Sequence, residues 1–183
     1  MRSWVLLFVC ITCLMGVCND ETKTRNTFIE YNLAGGICSG DYRIDVTENN
    51  ALLEATALLI PASNGDPEVI ILTFYDYSDN REVLFTIPVG NGVSNPIVLT
   101  YDSDFGMGIL HQTNSCSITS GIENTLAGVN IDVKKFKRGG GGFGFQSVAE
   151  LEVAFTGRMT DKNHPDGAFE YLIDGMFYYR EQF

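Results

Sequence analysis

"AELEVAFTG", residues 149–157, decides the class of fold. Ala149, Leu151, Val153 and Phe155 point one way, while Glu150, Glu152 and Thr156 point the other. Strict alternation of this kind is the mark of a β-strand with one face buried and one face wet. The same period recurs on both sides of it. "DYRIDVT" sets Tyr42, Ile44 and Val46 against Asp41, Arg43 and Asp45, and "EVLFTI" aligns Val83, Phe85 and Ile87. "VNIDVKK" and "AFEYLIDG" follow suit. "EVIILTFYDY", residues 68–77, is apolar almost throughout, as expected of a strand at the centre of a core.

Turn-forming pairs separate these runs: Asn64-Gly65, Asp79-Asn80, Asn91-Gly92, Asn95-Pro96 and Asp166-Gly167. Short alternating strands divided by such turns predict an all-β chain folded as an antiparallel β-sandwich, immunoglobulin-like or jelly-roll-like. The ambiguous stretch is "NNALLEATALLI", residues 49–60. Its Ala, Leu and Glu favour helix, but its last apolar residues run straight into Pro61, so most of it reads as strand. No internal repeat is present, and residues 27–183 read as one domain.

Upstream, Arg2 precedes the apolar run "WVLLFVCITCLMGV" from Trp4 to Val17. One early positive charge and a short apolar segment form the layout of a secretory signal peptide. The run is shorter than the roughly 20 apolar residues of a spanning helix. Gly16-Val17-Cys18 suits cleavage at small residues. "LMGVC" also resembles the lipobox of bacterial lipoproteins, in which the cysteine becomes the first residue and carries the lipid, although Val17 stands where that family has Gly, Ala or Ser. The "NDETKT" that follows resembles the acidic tether of Bacteroidetes-type surface lipoproteins. The expected organisation is therefore a signal peptide over 1–18, a polar tether over 19–26 and the sandwich over 27–183. Cys18 is the expected lipid anchor at an outer membrane or cell surface, with secretion or periplasmic release as the alternative.

The chain carries 12 Lys and Arg against 23 Asp and Glu, and its net charge is −11. Losing Arg2 with the leader leaves 11 basic against 23 acidic side chains, or −12. A surface this acidic excludes nucleic acid as a partner, because neutralising phosphates needs a basic face. Of five cysteines, Cys10, Cys13 and Cys18 belong to the leader. Cys38 and Cys116 remain, and in an oxidising compartment they are expected to form a disulfide rather than two separate buried thiols.

The C-terminal stretch "SVAELEVAFTGRMTD", followed after a polar gap by "FEYLIDGMFYYR", resembles the ending of uncharacterised Bacteroidetes surface lipoproteins. There a strand with a Gly-Thr-Phe-like motif precedes a last strand closing on Gly-x-Phe. Phe155, Thr156 and Gly157, then Gly175, Met176 and Phe177, hold those places here. The resemblance implies an immunoglobulin-like sandwich and a surface address, and it brings no chemistry.

Candidate sites are few. "VKKFKRGGGGFGFQ", residues 133–146, clusters Lys134, Lys135, Lys137 and Arg138 beside four glycines. It lacks the Gly-Lys-Ser/Thr ending of a phosphate loop. It reads as a hairpin tip, or as a binding loop with Phe143 and Phe145 as apolar contacts. "DKNHPDG", residues 161–167, offers Asp161, Asn163 and Asp166, but misses the EF-hand spacing and reads as a polar turn. Two histidines, His111 and His164, are too few for a zinc centre of ordinary type. No G-x-S-x-G elbow is present. The expected function is non-catalytic, without metal or cofactor: an envelope module that binds a protein or glycan ligand, with Tyr75, Tyr77, Tyr178 and Tyr179 as aromatic contacts. The alternative is a structural subunit of an envelope assembly, which predicts a large apolar patch or an unpaired edge strand.

Overall fold

A computed structural model describes residues 26–100, 105–112, 115–120, 128–142, 145–161 and 170–181. The leader with Cys18, nearly all of the tether, Phe143 and His164 lie outside these residues. Among the described residues there are eleven strands and no helix. They are β1 (Thr27–Ala34), β2 (Gly40–Val46), β3 (Leu53–Ile60), β4 (Glu68–Asp76), β5 (Arg81–Val89), β6 (Ile97–Leu99), β7 (Gly106–His111), β8 (Cys116–Thr119), β9 (Gly128–Gly142), β10 (Phe145–Asp161) and β11 (Glu170–Arg180).

All pairings are antiparallel, and they build a β-sandwich. One layer runs β6-β9-β10-β11-β1-β2, and the other runs β3-β4-β5-β7-β8. β10 belongs to the first layer but touches the second at both ends. Gln146 and Ser147 pair with Leu59 and Leu58 of β3, while Thr160 and Asp161 pair with Thr119 and Ile118 of β8. One long strand thus joins the layers at two corners.

The alternation read from the sequence is the burial pattern of the fold. Leu151, Val153 and Phe155 are buried, as are Ile44 and Val46, and Val83, Phe85 and Ile87. Residues 53–60 form strand, so packing of Leu59 and its neighbours overrides helix propensity there. Across the layers, Phe85 of β5 lies 5.3 Å from Phe155 and 4.9 Å from Phe177, and Phe74 lies 5.7 Å from Phe177, as ring centroids. These tilted aromatic contacts are the middle of the core.

The Cys38–Cys116 disulfide is present, with Cα atoms 6.3 Å apart. It ties the turn after β1 to the first residue of β8, and so clamps one layer to the other. In that turn Gly35 and Gly36 have φ of 108° and 54°. A Cβ on Gly36 would lie 2.3 Å from the Tyr171 hydroxyl, which accepts a hydrogen bond from the Cys38 amide at 3.4 Å. Only glycine lets the turn close over that ring.

Candidate functional site

At the disulfide end, the inward positions of β1, β2, β5 and β7 carry Tyr31, Tyr42, Arg81 and His111 in place of aliphatic residues. Tyr31 Oη lies 2.8 Å from His111 Nε2. The Arg81 guanidinium also acts on this hydroxyl, its charge lowering the phenol pKa against the larger effect of burial. The guanidinium covers the Tyr42 ring at 4.9 Å, pairs with Asp79 and lies 3.9 Å from Asp76. Burial raises the Tyr31 pKa. Burial, then the nearby Arg81 charge, lowers that of His111 to about 4. At neutral pH the cluster is a neutral tyrosine and a neutral imidazole beside a paired cation. Tyr31 and His111 are each 3% exposed, and each is engaged by the other. They form a polar clasp between layers rather than a surface a substrate can reach.

The clasp has a pH consequence. The folded pKa of His111 lies below the ordinary 6.5, so the unfolded chain binds the extra proton. Its contribution is complete above pH 6.5 and is lost as pH falls toward 4. Denaturant titrations should show about 2 kcal/mol less stability from this group at pH 5 than at pH 7.5. His111→Gln keeps a hydrogen-bond partner for Tyr31 and should remove that part of the pH dependence. An unchanged slope in the variant would assign it elsewhere.

The basic segment is strand, not loop: Lys134, Lys135, Lys137 and Arg138 all stand on β9. β10 supplies a long partner edge, and the glycines permit close approach. Ser147 Oγ lies 2.1 Å from where a Gly139 Cβ would be, and it donates to the Gly140 carbonyl at 2.9 Å. Lys134 pairs with Asp132, Lys135 with Glu150 at 2.8 Å, and Arg138 with Glu68. Lys135, followed by the Tyr178 hydroxyl, holds the Glu150 carboxyl below its usual range. Three of the four cations are thus matched by carboxylates, and no basic patch results. Phe145 opens β10.

The acidic turn at Asp76–Asn80 closes the β4–β5 hairpin. Asp76 Oδ1 accepts from the amides of Ser78 and Asp79 at 3.1 and 3.3 Å, a local turn bond of the kind aspartate favours. Asp161 is buried at the end of β10, and the rest of its segment is outside the described residues. Among the described residues no group of three or more His, Cys, Asp and Glu could hold a metal ion. Tyr178 and Tyr179 are buried. Of the four tyrosines, Tyr75 and Tyr77 stand outward, stacked at 5.6 Å with their hydroxyls on Glu82 and Glu54.

The two outer faces differ in kind. On the first layer, Glu30, Asp41, Arg43, Asp45, Asp174, Glu150, Glu152 and Arg158 face water, and the exposed apolar residues Leu172 and Val98 stand singly among polar neighbours. Arg43 bridges Glu30 and Asp45, and the Asn32 amide donates to Asp41 at 2.8 Å. On the second layer the outward rows read Ile60-Val69-Pro88, Leu58-Ile71-Thr86-Gly106, Thr56-Thr73-Leu84-Gly108-Thr119 and Glu54-Tyr75-Glu82-Leu110-Ser117. Leu52 and Tyr77 extend them. Leu52, Leu58, Ile60, Tyr77 and Leu84 are between 37% and 53% exposed. Sequence reading missed this face: Leu58 and Ile60 sit in a run that looks like core, and only strand pairing reveals that they point outward. No family model, curated protein or solved structure matches the chain.

Proposed function

We propose that the chain is a non-catalytic envelope lipoprotein, held at a membrane by acyl chains on Cys18, that works by binding through the outer face of its second layer. The observation that carries this reading is the contrast between the two outer faces. Apolar side chains scattered singly on a surface are ordinary, but contiguous ones mark contact surfaces. Here they share one face with only two carboxylates, in a chain whose net charge is −11. The disulfide suits an exported protein, and two or more acyl chains would hold a soluble domain firmly. The ligand class is protein or glycan. The breadth of the face favours, as a second reading, a structural subunit of an envelope assembly.

The test expresses the full chain in a bacterial host and fractionates the cells. The protein should travel with membranes and carry acyl mass on Cys18, and crosslinking should join it to envelope components. Leu58→Glu should leave the fractionation intact and abolish the crosslink. A soluble, unacylated product would overturn the anchor. A crosslink indifferent to Leu58→Glu would overturn the face.

A further inference from the structure

We infer that the outer face of the second layer is covered by the same face of a second copy of this chain. The inference rests on the reading of that face as the contact surface and names its occupant.

Size is the first argument. The five strands, four to nine residues long, at a spacing of about 4.8 Å and about 3.3 Å per residue, cover roughly 570 Å² of plane. With side-chain relief this approaches the roughly 800 Å² per partner of a standard stable interface. Charge is the second. A chain at −11 meets its own copy against like-charge repulsion, so self-association requires a face nearly free of charge. Among the described strands, the outward positions of the second layer carry only Glu54 and Glu82, and both take tyrosine hydroxyls. The first layer's outer face, with its carboxylates, offers no such surface.

Shape is the third. An interface between identical faces must be self-complementary. Leu84 projects from β5, and its register partner on β7 is Gly108, with Gly106 two residues away. A two-fold axis running along the strands between β5 and β7 lowers Leu84 of each copy onto the bare backbone of Gly108 in the other. The fold itself does not require these glycines. Neither has a positive φ, and an added Cβ would meet nothing nearer than Ser120 Oγ at 3.6 Å for Gly106 and the Ile118 carbonyl at 3.9 Å for Gly108. A strand interior without side chains loses packing and backbone order, yet here it leaves a trough beside an exposed leucine.

The experiment uses the full exported chain with Cys18→Ser, which removes the acylation site and leaves every described residue in place. Sedimentation at micromolar concentration should give twice the monomer mass. Gly108→Val fills the trough and should weaken association at least tenfold (a change of about 1.4 kcal/mol) while leaving the melting transition in place, and Leu84→Glu should do the same. A monomer at every concentration, or a dimer indifferent to both substitutions, overturns the inference. If the protein is monomeric and Leu58→Glu still abolishes the envelope crosslink, the occupant is a foreign partner: the second copy falls and the binding face stands. If the dimer forms as expected and the envelope crosslink ignores Leu58→Glu, the inference holds and the proposed outward binding role falls.

Discussion

Replacing Cys38 and Cys116 together by alanine should lower the stability of the fold by roughly 4.5 kcal/mol. The bridged cysteines are 78 residues apart, and on the chain-entropy account a loop of that length restricts the unfolded chain by about that amount. Alanine keeps the site apolar and leaves no unpaired thiol. The local geometry adds to the loss. The Cys38 carbonyl accepts the Tyr42 hydroxyl at 2.8 Å, and its amide donates to Tyr171, so freeing the turn also loosens the tyrosines beside the clasp. In urea, with a slope of about 2 kcal/mol per molar, the midpoint should fall by roughly 2 M. Reducing agent should reproduce the shift in the wild type and do nothing to the double variant. Equal midpoints for oxidised, reduced and substituted protein would mean that the bridge does not constrain the unfolded state.

Gly175→Val should be the most damaging single substitution in the last strand, at more than about 3 kcal/mol, the upper end of overpacking costs. Gly175 faces inward opposite Phe155 in the β10–β11 register. An added Cβ would lie 2.5 Å from the Glu30 carbonyl, 2.6 Å from the tip of the Phe155 ring and 2.7 Å from Tyr31 Cβ. The ring cannot retreat, because Phe85 and Phe177 hold it from the other sides. Gly157 is confined in a similar way, with the Gly128 carbonyl 2.1 Å from where its Cβ would be. These are the two glycines singled out by the C-terminal resemblance, and close approach gives each a physical reason. The informative control is Gly108→Val: the same exchange, also in a strand, where an added Cβ meets only the Ile118 carbonyl of its own chain at 3.9 Å. Thermal melting should separate the two variants widely. Similar melting temperatures would refute the packing argument at Gly175.

Tertiary structure decides which apolar residues are core. In "ALLI", residues 57–60, Leu58, Leu59 and Ile60 have the same chemistry, yet Leu59 is fully buried while its neighbours are about 40% exposed. Pairing with β4 fixes which way each points. It also brings Tyr31 to His111 across 80 residues, a contact with no local signal in either segment. The run of Lys, Arg and Gly at 134–142 reads as a loop because glycine disfavours strands, but a long neighbouring strand outweighs that preference.

Features that depend on near neighbours are legible in the chain before it folds: the strands, their alternating faces, the turn pairs between them and the acidic charge. Period-two alternation is a property of a short stretch of chain, so it survives into the fold wherever one face is buried. The remaining features are non-local and exist only in the folded molecule: the pairing of the two layers, the polar clasp at the disulfide end, the glycines that closely packed rings require, and the apolar face left outside. Each arises when segments tens of residues apart meet, and local periodicity carries no record of which ones will.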